Sequence, residues 1–124
     1  MQRIAAINPA EATGKAKQLL DGVQGKIGRT PNLMRTLAAG PAALEAYLNM
    51  SAALGAGDLD AKLREQIALT VAQANSCEYC LSAHAAIGRM AGLQPEEIAA
   101  SRQARSEDGK RQAGLQFAQA VVME

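Results

Sequence analysis

Tryptophan is absent from this 124-residue chain, and Phe117, Tyr47 and Tyr79 are all the aromatic side chains it has. A core without large rings must be filled by leucine, isoleucine, valine and above all alanine, which let helices approach closely but bury little apolar area each. Burial between subunits would offset that shortage, so a homo-oligomer is expected. An excess of one charge is lacking too. The 13 basic and 12 acidic residues leave a net charge of +1, and no basic stripe is available to follow a phosphate backbone or an anionic lipid surface. The densest basic stretch, Arg102 to Arg111, is interrupted by Glu107 and Asp108 and reads as a solvated face. Neither nucleic acid nor membrane is expected as a partner. No apolar run has the length of a signal-peptide core or a membrane span, which points to the cytoplasm.

Strand signals are scarce as well, and helical ones recur, so the fold class is all-α. The length fits one domain over 1–124 with a core of its own. A helix is predicted over 10–24, with Leu19, Leu20 and Val23 inward and Gly25 and Gly28 ending it. Thr30-Pro31 reads as an N-cap followed by proline in the first turn, opening a short helix to Ala39. After Gly40-Pro41 another helix covers 42–54. Asp58 or Asp60 caps a helix over 61–74, apolar nearly all round after Glu65 and therefore central. Asn75 with Glu78 resembles a capping box for a helix that stops at Gly92. Pro95 opens one more, and 108–123 forms the last, with Leu115, Ala118 and Val122 as an apolar stripe widened by Phe117 and Val121. Gly55-Ala56-Gly57 is a turn rather than a nucleotide loop, since no strand precedes it.

The chain has two cysteines and one histidine, and all three fall in one short stretch: Cys77-Glu78-Tyr79-Cys80, then His84. On a helix they share roughly 60° of arc. Two thiols three residues apart can close into a disulfide, and a base nearby helps to form the thiolate. The start of a helix also favours negative charge, which makes Cys77 the better thiolate. Cys80 lies one turn from His84 and Cys77 two turns away, which favours Cys80. Local physics leaves the nucleophile open. Glu65, a carboxylate on an otherwise apolar helical face, needs a partner, and His84 is the imidazole available to it.

From Glu65 the string reads eleven residues, Cys77-x-x-Cys80, three residues, His84. This resembles the active-site motif of the alkylhydroperoxidase AhpD-like group in the carboxymuconolactone decarboxylase superfamily. The stretches Leu63-Arg64-Glu65 and Ala74-Asn75-Ser76-Cys77 through His84 carry most of the likeness. Gly28-Arg29-Thr30-Pro31-Asn32-Leu33 and Gly40-Pro41-Ala42-Ala43-Leu44 resemble the peroxidase-related branch. The resemblance implies an all-α homo-oligomer that reduces alkyl hydroperoxides with thiols, without cofactor, metal or haem. It assigns Cys80 as the peroxide nucleophile, Cys77 as the thiol that resolves it to a redox-active disulfide, and Glu65 and His84 as the proton relay. A dithiol or lipoyl-type protein would be the electron donor. The well-studied peroxidases carry a histidine just before the second cysteine, where this chain has Tyr79, here assigned to the pocket lining. The family also continues with further helices past the segment matching 108–123, and these C-terminal helices are expected to be missing. The decarboxylase branch lacks the CxxC, which argues against lactone decarboxylation. Two other readings use the same residues: a general dithiol–disulfide oxidoreductase, and a non-catalytic redox-sensing or metal-binding helical module, including a zinc site drawn from Cys77, Cys80, His84 and Glu65.

Overall fold

The computed structural model describes residues 2–124, which form seven α-helices and no strand. The fold is all-α, as the sequence pattern predicts. The chain divides into two compact units, one ending at Ala56 and the other spanning Gly57–Glu124.

The first unit holds α1 (Gly14–Ile27), α2 (Asn32–Leu37) and α3 (Pro41–Gly55). Leu20, Leu44, Ala12 and Ala38 form its core, flanked by Leu19, Met34 and Leu48. Gly28 closes α1 in the left-handed region at φ 77°, where a side chain would be strained. The predicted start at residue 10 is too early. Asn8 takes the Ala10 N–H on its side chain at 3.2 Å and the Glu11 N–H on its carbonyl at 3.0 Å, so a turn forms first. α2 opens one residue later than expected, with Pro31 as N-cap. The Thr30 hydroxyl does not cap it and instead donates to Gln24 Oε1 at 3.1 Å.

The second unit is built on α4 (Ala61–Ala74), against which α5 (Glu78–Met90), α6 (Pro95–Arg102) and α7 (Gly109–Met123) all pack. No residue from Lys62 to Ala74 is exposed, in keeping with the central place its apolar pattern implies. Leu69, Ala72, Leu81, Leu93 and Ile98 make one core cluster, and Leu63, Ala104 and Leu115 another. Where polar groups enter this core they are bonded, as burial requires. Thr70 Oγ1 donates to the Ser101 carbonyl at 2.6 Å, and Ser101 Oγ to the Glu97 carbonyl at 2.6 Å.

Asp60 caps α4 by accepting the Leu63 N–H at 2.8 Å. That backbone bond holds its carboxyl below the usual carboxylate range; burial works against the shift, and the Arg111 guanidinium adds to it. Arg111 of α7 reaches Asp60 Oδ2 at 2.8 Å and Gln66 Oε1 at 3.0 Å, tying the last helix to the central one. The stripe on α7 is narrower than expected. Leu115 is buried, whereas Phe117 and Val121 stand 72% and 66% exposed. Counted at 100° per residue, both lie more than a quarter-turn from Leu115, on the side away from α4.

Candidate active site

Residues 75–77 alone link α4 to α5, and they place the first sulfur. Asn75 is the C-cap of α4, and its N–H bonds back to the Val71 carbonyl at 3.0 Å. Ser76 then takes φ 52°, a left-handed conformation that disfavours side chains. It lets the Ser76 N–H reach the Gln73 carbonyl at 3.1 Å and the Cys77 N–H reach the Ala72 carbonyl at 2.9 Å. This is the bonding of a Schellman motif, in which the last carbonyls of a helix are satisfied by the turning chain. Asn75 is thereby spent on ending α4 and makes no capping box with Glu78. Cys77 is the N-cap of α5 instead, in extended conformation.

From that position Cys77 Sγ accepts the Cys80 N–H at 3.2 Å, where unpaired amides at a helix start point toward negative charge. The two cysteines are joined as a disulfide, with Cα atoms 5.2 Å apart. Only Cys80 and His84 are helical, so the shared helical face comprises those two, with Cys77 just before it. Cys80 packs against the core cluster beneath, which fixes its side of the helix.

Glu65 and His84 meet. Glu65 Oε2 lies 2.8 Å from His84 Nδ1, with the side chains 17% and 34% exposed. An ionised carboxylate can only accept, so Nδ1 carries the hydrogen and Nε2 is left with its lone pair. The carboxylate thus orients the ring through Nδ1, and in the neutral imidazole Nε2 is chemically able to accept a proton. Tyr79 is 52% exposed, in the first turn of α5 beside the disulfide. Among the described residues no group of three or more His, Cys, Asp or Glu side chains is arranged to hold a metal ion. A cleft of about 340 Å³ lies elsewhere, lined by Gln66, Arg105, Ser106, Glu107 and Arg111 among others; Glu65, Cys77, Tyr79, Cys80 and His84 do not line it.

Two residues next to these side chains were not singled out from the sequence. Nothing in the composition marks Ser76 as the left-handed residue, since glycine or asparagine is the usual occupant. Gly88 did leave a signal: it stands four residues past His84 inside a segment that otherwise favours helix.

The helical fold that carries this disulfide and carboxylate-paired imidazole is similar to a solved structure. The crystal structure of the alkylhydroperoxidase AhpD core from Rhodospirillum rubrum is similar to this chain with a TM-score of 0.75 and 28% identity, covering 99% of this chain and 90% of that one. The model of the carboxymuconolactone decarboxylase family matches residues 41–120, and the chain belongs to that family. An uncharacterized protein of Haemophilus influenzae is 54% identical over 46 residues, 36% of this chain and 41% of that protein. The matched stretch thus spans about two fifths of the length of that relative. Among the described residues no helix is long and apolar enough to cross a membrane.

Proposed function

We propose that this chain is a thiol-dependent peroxidase that reduces alkyl hydroperoxides through Cys77 and Cys80. The observation that carries this is the 2.8 Å contact of Glu65 with His84, one helical turn from Cys80. Likeness to the alkylhydroperoxidase core supports it. His84 Nε2 takes the proton of the Cys80 thiol. The Cys80 thiolate attacks the terminal oxygen of the hydroperoxide; an S–O bond forms, the O–O bond breaks, and the alkoxide leaves as alcohol with the proton returned by His84. Cys80 is then a sulfenic acid. Cys77 attacks that sulfur, the S–S bond forms, and the hydroxyl departs as water with the Cys77 proton. A dithiol donor, such as a lipoyl-bearing protein, restores both thiols by exchange, supplying two electrons and two protons.

A second reading has its own observation. Tyr79 stands half-exposed beside the sulfurs, at the place where related peroxidases carry a histidine, and an exposed ring suits contact with a protein disulfide. The two separate when reduced protein is given cumene hydroperoxide and dihydrolipoamide. Peroxidase function is expected to give hydroperoxide loss that scales with protein concentration. Loss no faster than with donor alone, combined with efficient reduction of a protein disulfide, would assign the dithiol to exchange.

The proposal includes a homo-oligomer, which would cover side chains such as Met90, Phe117 and Val121, now 81%, 72% and 66% exposed. Large apolar groups left in water favour association. Sedimentation at working concentration is expected to give more than one subunit, and a monomer would remove that part.

A further inference from the structure

Gly88 is buried within α5 and is not among the residues with positive φ. Its freedom of backbone therefore goes unused, while its presence weakens a helix relative to alanine. Its surroundings give it a use. It lies one turn beyond His84 and two beyond Cys80, on the same face of the helix. A Cβ at this position would stand 3.8 Å from Glu65 Cβ and 2.9 Å from Leu93 Cδ1. Leu93 is 3% exposed, and its N–H donates to the Gly88 carbonyl at 2.8 Å. A methyl of Leu93 thus fills the volume that a side chain at 88 would need, and the stem of Glu65 runs alongside. One turn back, the Glu65 carboxylate meets His84.

We infer that Gly88 is a positioning residue for the Glu65–His84 pair. By keeping any side chain longer than a methyl out of the space between α5 and the Glu65 stem, it lets the carboxylate reach Nδ1 and so sets the tautomer of His84. Resting on the thiol-peroxidase reading, this deepens it by adding a residue that acts on the relay through Glu65 alone. The contact with Leu93 raises the rival account, in which Gly88 does no more than accommodate that methyl.

The experiment separates the two. Gly88→Val and Gly88→Ala are made in a Leu93→Val background, which removes the crowding methyl. Two quantities are read: the ring ¹⁵N chemical shifts of His84 at fixed pH, unambiguous because it is the single histidine, and the rate of peroxide-dependent disulfide formation. Gly88→Val is expected to remain helical, to move the His84 shifts toward those of Glu65→Gln, and to slow the reaction by about tenfold or more, the scale of a small misplacement of a catalytic group. Gly88→Ala, whose Cβ comes no nearer to Glu65 than ordinary contact, is expected to produce the smaller shift. Gly88→Val added to Glu65→Gln is expected to cost nothing further, since both act through one contact. Should the valine variant fail to fold, Gly88→Ser makes the same comparison with a smaller side chain. A folded variant with wild-type His84 shifts, where Glu65→Gln does move them, would overturn the inference and leave Gly88 as packing for Leu93. If the shifts move as expected but no variant, Glu65→Gln included, alters the rate, the positioning stands and the peroxidase reading fails.

Discussion

Replacing Cys80 by serine is expected to abolish trapping of a sulfenic acid and to slow hydroperoxide consumption by at least about a thousandfold, the scale seen when a nucleophile is removed from a unit that acts together. Cys77→Ser should do the opposite to the intermediate. With the resolving thiol gone, the Cys80 sulfenic acid has no partner within reach and accumulates after one turnover. The comparison matters because local electrostatics point the other way. Cys77 is the N-cap and receives the Cys80 N–H at 3.2 Å, which favours its thiolate by the field of the helix start. Cys80 gains instead from the imidazole one turn along α5, which can remove its proton and return it to the leaving alkoxide. The assignment rests on proton transfer outweighing the helix field. Trapping confined to Cys77 in the Cys80→Ser protein would reverse the roles.

The second large effect is expected from Glu65→Gln. The amide keeps the size of the side chain, so α4 should stay packed and the circular dichroism helical. What changes is its demand on the ring. A carboxylate accepts only, whereas an amide can either donate or accept, and His84 is no longer confined to the tautomer with its lone pair on Nε2. Hydroperoxide consumption should fall by about a hundredfold, the lower range for loss of positioned acid–base assistance. Rates equal to wild type would remove Glu65 from the mechanism.

How much of this was legible in the sequence differs from element to element, and the reasons are physical. The bounds of α4 could be read directly, because Asp60 is a strong cap and the run behind it is apolar on nearly every side. The meeting of Glu65 with His84 was approachable by elimination, since a half-buried carboxylate needs a partner and the chain has a single imidazole. The junction at residues 75–77 was not. Asn75 suits an N-cap and a C-cap alike, and the choice fell to the second because Ser76 turns left-handed so that Cys77 can satisfy Ala72. That is a backbone bond, with no trace in side-chain pattern. The outward Phe117 and Val121 misled for a related reason: apolarity says what can be buried, while the partner helix decides what is. Gly88 was visible as an oddity but had no meaning until Leu93 and Glu65 were seen on either side of it.

The central claim is that a hydroperoxide oxidises this dithiol within one chain. It is tested most directly by mixing fully reduced protein with one equivalent of cumene hydroperoxide, alkylating the remaining thiols and weighing the product by mass spectrometry. One intramolecular Cys77–Cys80 disulfide should form for each molecule of alcohol released. Intact hydroperoxide beside two alkylated cysteines would contradict it.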